Sequence, residues 1–347
     1  MPGARLARAT PLWPDGREHG GTAKAAGYGV PLRLVVWQEG RSRELVMHTV
    51  RADAFGHDRR ADRAQGLLQA YDTFGDIPRH VRPLDVGAVG PDGQLVSLAG
   101  AGEFYLLTEF APGKTYALDL RRIALDREAS AADVDRARSL ARYLVELHRE
   151  RRPDPARYAR ALRDLVGHGE GIAGIADNYG PDVPAAPPAR LQALEAACLG
   201  ARFRLRGQGG ERLCRTHGDF HPFNILFDEG GSLTLLDASR GCEGDAADDV
   251  TCLAVNFVFF ALEAEGSWAK GFRPLWRAFW DTYLDESHDP GVLKAAPPYL
   301  AWRALVIGNP TFYPRLAPAT RDRLLGLAER ALAADAFAPD WAEEVAG

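Results

Sequence analysis

His217-Gly218-Asp219-Phe220-His221-Pro222-Phe223-Asn224, followed by Leu233-Thr234-Leu235-Leu236-Asp237-Ala238-Ser239, is the stretch on which the reading of this chain turns. It sets a carboxylate five residues before a carboxamide, with a second carboxylate thirteen residues further on at the end of an apolar run. Transfer of a phosphoryl group from a nucleotide needs such a set. One carboxylate accepts a hydroxyl proton, and hard oxygen donors hold magnesium on the β and γ phosphates. Asp219 fits the first role, and Asn224 and Asp237 fit the second. Turn chemistry alone would have Asp219 cap a turn, Asn224 satisfy loop amides and Asp237 end a strand. A lone His-x-Asp arises often by chance, whereas the full spacing with its apolar strand does not, and the site reading is preferred.

Three other segments agree with it: Glu103-Phe-Tyr-Leu-Leu-Thr-Glu109-Phe-Ala111-Pro-Gly113, Leu140-Ala-Arg-Tyr-Leu-Val-Glu-Leu-His148, and Gly244-Asp-Ala-Ala-Asp-Asp249-Val250. With the His217 to Asp237 stretch, these markers make the chain resemble the aminoglycoside phosphotransferase and choline kinase family, the small-molecule branch of the protein-kinase-like fold. The resemblance implies an α+β, two-lobe architecture. A small N-terminal lobe, residues 1–111, would carry an antiparallel sheet, one helix, a Gly-rich loop and the hinge. A larger, mainly helical lobe, residues 112–347, would carry the catalytic loop, the metal site and the acceptor pocket. It further implies Mg2+ as cofactor, ATP or GTP as donor and a small-molecule hydroxyl as acceptor.

Local patterns fit that outline. Residues 1–31 are rich in Gly and Pro and read as loop. Leu32–Gln38 and Arg43–Val50 read as a hairpin, residues 55–74 as a helix, and residues 81–89 and 103–110 as two more strands around the Pro91-Asp92-Gly93 turn. Beyond Gly113 the periodicity is helical, over 131–151, 158–166, 189–197, 251–265, 268–284, 299–307 and 318–334. The connection from Gly167 to Gly210, with Pro184-Ala-Ala-Pro187-Pro188 inside it, reads as a plain surface crossing on loop statistics, whereas the resemblance implies that it helps build the acceptor pocket.

Composition excludes several classes. The chain has 347 residues, 46% hydrophobic and 26% charged, which suits a globular protein with sizeable cores. Its net charge of -5 and pI near 6.0 argue against nucleic acid as a general partner. Cys198, Cys214, Cys242 and Cys252 lack paired short spacings, no signal-peptide pattern is evident near Arg5 and Arg8, and the apolar run from Cys252 to Leu262 is too short to span a bilayer. The expectation is a cytoplasmic protein with reduced thiols and no membrane partner.

The nucleotide half departs most from the family pattern. The resemblance places the Glu109 carbonyl and the Ala111 amide at the adenine edge. On the third strand, where a lysine is expected to meet the α and β phosphates, the matching residue is His48. It lies two residues from Val46 and so on the same strand face. Lys24, the only lysine before the hinge, sits in Gly20-Gly-Thr-Ala-Lys-Ala-Ala-Gly-Tyr-Gly29 and is the other candidate for the missing charge. Asp62 is the candidate to orient that cation from the following helix, although pairing with Arg59 or Arg63 explains its position equally well.

On the catalytic side, His217 is assigned to bracing the loop and Asp249 to anchoring it through backbone amides. Glu243, Asp245 and Asp248 make the neighbourhood acidic, which would favour an amine-bearing acceptor. Arg303 and Asn309-Pro-Thr-Phe-Tyr313 would suit a carboxylate or phosphate instead. The leading expectation is a kinase of an aminoglycoside-like, sugar or amino-alcohol hydroxyl. Its alternatives are a kinase-fold nucleotide-binding or regulatory protein without phosphotransferase activity, and a protein kinase. Against the last, Asp237 is not followed by Phe-Gly.

Overall fold

The computed structural model describes residues 5–12, 29, 31–38, 40–53, 55–208, 210–238, 241–334 and 336–347. The chain is α+β and divides into two compact units, Met1–Thr108 and Glu109–Gly347. Lys24 lies outside the described residues.

In the first unit, β1 (Arg5–Pro11), β2 (Leu32–Gln38) and β3 (Arg41–Met47) form an antiparallel sheet in the order β1-β2-β3. The expected hairpin is present, and its connection is tighter than the sequence suggested. Gln38 pairs directly with Arg41, and Gly40 takes a φ of 74°, a left-handed conformation that costs a residue without Cβ nothing. Strand β1 falls where the Gly and Pro content had pointed to loop. Its Arg5-Leu-Ala-Arg-Ala-Thr10 run contains neither breaker and is free to pair. Helix α1 (Arg60–Thr73) begins with a capping box, in which Asp62 accepts the Arg59 amide at 2.9 Å. A short hairpin of β4 (Gly87–Val89) and β5 (Leu95–Ser97) follows, closed by the turn in which Gly93 has a φ of 83°.

The strand expected over residues 103–110 does not form. Residues 101–112 carry no ladder, and Tyr105, Leu106, Leu107 and Phe110 are each at least 86% exposed. Strand propensity measures fit against a neighbouring pleated surface, and the β4–β5 hairpin pairs only with itself.

The second unit opens with β6 (Lys114–Thr115) and α2 (Tyr116–Asp126), the latter absent from the sequence reading. Helix α3 (Ala131–His148) starts where Ser130 accepts the Asp133 amide while Asp133 returns a bond to the Ser130 amide. Helices α4 (Pro155–Gly167), α5 (Ile172–Asp177) and α6 (Pro188–Gly207) lead to β7 (Leu213–Arg215), β8 (Ile225–Phe227), β9 (Leu233–Leu235) and β10 (Glu243–Asp245). Strands β6, β8 and β9 form one small antiparallel sheet, and β7 pairs with β10. The remaining helices are α7 (Ala246–Leu262), α8 (Arg273–Ser287), α9 (Gly291–Gly308), α10 (Pro318–Ala333) and α11 (Trp341–Ala346). Among the described residues no helix is long and apolar enough to cross a membrane.

Helix α7 is the centre of this unit and is buried on nearly every side. It packs on α9, and the buried stripe of α3, Ala137-Leu140-Ala141-Leu144-Val145, faces α8. Phe257 of α7 meets Phe279 of α8 edge to face, with centroids 6.0 Å apart. Each such side chain contributes roughly 1.5–3 kcal/mol by leaving water. Several helix boundaries differ from expectation: α6 runs ten residues beyond Ala197, α7 begins five before Thr251, and two further starts have a local cause. The predicted start at Trp268 is a π-type turn over Trp268–Phe272, because Pro274 lacks the amide needed to continue a preceding α-helix. Helix α9 begins eight residues before Tyr299 and runs through the buried Pro297 and Pro298, where packing overrides propensity.

Ser130→Ala tests the capping argument with little else disturbed. We expect a loss of about 1 kcal/mol, read as a melting-temperature fall of roughly 2–4 °C. An unchanged melt would mean that the Asp133 carboxylate alone holds the helix start.

Candidate functional site

The segment from His217 to Asn224 is held from beneath by α7. Asp249, fully buried in the first turn of that helix, accepts the His217 amide at 2.8 Å on Oδ2 and the Gly218 amide at 2.7 Å on Oδ1. Both amides face one carboxylate because Gly218 has a φ of 81°, which turns the backbone sharply at that residue. His148, the last residue of α3, donates from Nε2 to Asp249 Oδ2 at 3.1 Å, and its Nδ1 accepts from the Tyr283 hydroxyl at 2.8 Å. Burial pushes the Asp249 pKa up, but the bonds from His148 and from the two amides hold it below the usual carboxylate range. The loop-anchoring role expected of Asp249 is what the structure shows.

His217 is buried, and its Nδ1 accepts the Asp219 amide at 3.2 Å, so it braces the turn. Asp219 is gripped on both oxygens. Arg303 donates from Nη1 to Oδ1 at 2.7 Å, and Asn224 donates from Nδ2 to Oδ2 at 3.1 Å. The same Asn224 nitrogen bonds the Asp219 carbonyl at 3.1 Å. His221 Nε2 stands 3.4 Å from Asp219 Oδ2. Because His221 Nδ1 accepts the Phe223 amide at 3.1 Å, the proton of the neutral ring sits on Nε2, facing that carboxylate. Burial, the largest single influence, raises the Asp219 pKa. The His221 bond and the Arg303 guanidinium more than offset it and hold the carboxyl well below its ordinary range. Asp219 is ionised at neutral pH while keeping 23% of its side chain open to solvent.

Asp237 arrives by strand register. Strand β8 pairs with β9, Ile225 opposite Leu235, and the Leu236 amide bonds the Asn224 carbonyl at 2.9 Å. Asp237 is the next residue, exposed, with a φ of 57°. A non-glycine residue in the left-handed region is strained, and such residues concentrate at functional sites. The structure thus joins Asp219 and Asn224 by direct contact and sets Asp237 two residues beyond the end of β9, next to the Leu236 that bonds Asn224.

These side chains suit a hard cation. The Asn224 nitrogen is spent on Asp219, so its amide oxygen is the atom that could serve a cation, and Asp237 adds a carboxylate. Magnesium prefers few protein oxygens, completed by water and phosphate. Among the described residues no three His, Cys, Asp or Glu side chains gather to hold a metal, so an ion here would depend on the Asn224 oxygen.

The nucleotide-side candidates fall in both units. His48, exposed, follows the last residue of β3, and Asp62 caps α1 in the same unit. Glu109, exposed, and Ala111, half-buried, lie in irregular backbone at the start of the second unit.

Three acceptor-side expectations are overturned. Glu243 is paired with Arg152 and Arg157. Asp245 is held bidentately by Arg212 at 2.7 and 2.8 Å and receives the Tyr158 hydroxyl. Asp248 takes Arg303 Nη2 at 2.7 Å. Their charge is neutralised locally and gives no bias toward an amine. Arg303 is committed to Asp219, Asp248 and the Gly218 carbonyl, not to an acceptor anion. Asn309 closes its own turn, accepting the Thr311 amide at 2.8 Å and donating to the Ile175 carbonyl at 3.1 Å. The His148 and Arg303 contacts were not foreseen. The usable signal was a single arginine inside Tyr299-Leu-Ala-Trp-Arg303-Ala-Leu, since a charge in an otherwise apolar helix is buried only when paired.

The α+β fold brings together, at Asp219 and Asn224, residue types that phosphoryl transfer requires. Residues 31–285 match the model of the phosphotransferase enzyme family, APH, and the chain belongs to that family. Among solved structures it is similar to a glucosamine kinase in complex with glucosamine, ADP and inorganic phosphate. Identity is 19%, with 62% of this chain and 60% of that one covered and a TM-score of 0.45. It is also similar to an ethanolamine kinase of Plasmodium vivax, at 10% identity, 89% and 79% coverage and a TM-score of 0.35. A choline kinase from Cryptosporidium parvum Iowa II gives 14%, 90% and 86%, and 0.35. This chain spans about 60% of the length of the glucosamine kinase. No curated protein sequence matches it significantly.

Proposed function

We propose that this protein is a small-molecule kinase transferring the γ-phosphoryl group of ATP or GTP to a hydroxyl of a sugar, an amino alcohol or an antibiotic of aminoglycoside type. The observation that carries the reading is the Asp219 carboxylate, ionised, part exposed and fixed between Arg303 and Asn224. Two carboxylate oxygens offer about four acceptor directions. With Arg303, Asn224 and His221 on three of them, a direction remains for an acceptor O–H.

Asp219 orients that hydroxyl for in-line attack. As the new O–P bond forms and the bond from Pγ to the nucleoside diphosphate breaks, the hydroxyl proton passes to Asp219. A carboxylate held so far below its ordinary pKa is a weak base, and it takes the proton late. That suits a loose transition state in which the attacking oxygen gains little bonding before the leaving group departs. Magnesium, bound by the Asn224 oxygen and Asp237, would neutralise charge on the phosphates. His221, with its proton directed at Asp219 Oδ2, helps keep the carboxylate ionised. The phosphate-side cation falls to His48 or Lys24, with Asp62 as its orienting partner and Glu109 and Ala111 at the adenine edge.

Thermal shift tests the donor and metal together, since a ligand that binds only the folded state raises its stability by roughly 2.7 kcal/mol at a hundredfold excess over Kd. We expect MgATP or MgGTP to raise the melting temperature, EDTA to remove most of the rise, and Asn224→Ala to remove the metal-dependent part alone. Equal stabilisation with and without magnesium would speak for a nucleotide-binding module instead.

A further inference from the structure

Arg303 occupies a position that stability does not explain. Only 6% of its side chain is exposed, its Nε has no hydrogen-bond partner among the described residues, and its Cζ lies 3.9 Å from the Trp302 ring centroid. Removing a guanidinium from water is costly, and replacing a buried ion pair by apolar side chains is often neutral or stabilising. What the guanidinium does provide is geometry. Nη1 holds Asp219 Oδ1 at 2.7 Å, while Nη2 holds the Gly218 carbonyl at 2.9 Å and Asp248 Oδ1 at 2.7 Å. One planar fork on α9 thereby joins the catalytic loop to the first turn of α7.

We propose that Arg303 is a positioning residue for phosphoryl transfer, fixing the rotamer of Asp219 so that its carboxylate meets the acceptor hydroxyl in line with the γ phosphate. This rests on the reading of Asp219 as the acceptor base. Asn224 grips the opposite oxygen, so the carboxylate plane is set from two sides, and removal of Arg303 leaves it held on Oδ2 alone, with more freedom about χ2. A lysine in its place keeps the charge but presents one nitrogen where three oxygens converge, and it restores only part of the alignment.

The test is steady-state release of ADP from MgATP by the full chain, with glucosamine, ethanolamine, choline and kanamycin as probe acceptors and water alone as baseline, together with thermal melts. Arg303→Met is expected to lower kcat about 100-fold, the scale of a misplaced reacting group, with KM values for MgATP and acceptor nearly unchanged. Arg303→Lys should recover part of that loss, and it serves alone if the methionine variant fails to fold. Wild-type turnover in both variants, with Asp219→Asn inactive, overturns the positioning role and leaves the kinase reading standing. A loss confined to KM, or one that tracks the folded fraction in the melts, also overturns it. Wild-type release no greater than that of Asp219→Asn removes the kinase reading and this proposal with it.

Discussion

Asp219→Asn is expected to reduce turnover by about 10²–10⁴-fold, the usual contribution of a positioned general base, while nucleotide binding survives. The structure says why the change is local. The carboxylate accepts on both sides, from Arg303 and from Asn224. An amide can accept on one side only. With its oxygen toward Arg303, its nitrogen confronts the Asn224 Nδ2 donor, and the reverse flip confronts the guanidinium. Arg303 retains Asp248 and the Gly218 carbonyl in either case, so its charge stays compensated. We expect a melting temperature a few degrees below wild type, a nucleotide-dependent shift of wild-type size, and ADP release at baseline. Turnover within tenfold of wild type would show that another group takes the proton, or that substrate oxygens carry it away unaided.

What could be read from the chain and what could not divide along physical lines. The His217 to Asn224 spacing is local, and so is the strand that delivers Asp237. Their relation follows from β8–β9 pairing over three residues, which short-range pattern captures. Asp249 was legible for the same reason, lying in the first turn of the helix that follows. Arg303 is eighty-four residues from Asp219, and no periodicity announces which buried carboxylate a distant arginine will meet. The acidic run Glu243, Asp245 and Asp248 misled because composition counts charges without their partners, and Arg152 with Arg157, Arg212 and Arg303 come from three separate places in the chain. Residues 103–110 failed as a strand because an apolar, aromatic run states what a segment would bury, not whether a neighbour exists to receive it. In α9 the prolines hid eight helical residues, since burial on all faces leaves no amphipathic signal to offset a breaker.

Asp249→Ala should be the most damaging single change to the fold around the site. It removes an acceptor that serves three buried donors at once: the amides of His217 and Gly218 and the His148 ring. None can turn to water, because Asp249 is fully buried and His148 nearly so. Breaking a buried charge-assisted cluster from one side costs about 3–5 kcal/mol, and at roughly 2–4 °C per kcal/mol the melt should fall by about 6–20 °C. Hydrogen exchange at the His217 and Gly218 amides should accelerate more than exchange in α3 or α8, since the loop loses its anchor before the helices lose their packing. The pH dependence has a definite sign. The folded pKa of Asp249 is depressed, so its contribution is complete above the unfolded value near 3.9 and is lost as pH falls through the lower folded value. The stability gap between wild type and variant should therefore stay flat between about pH 5 and 8 and narrow only below about pH 4. A gap that closes near neutral pH would mean that the ionised Asp249 carboxylate is not the source of the cluster's strength.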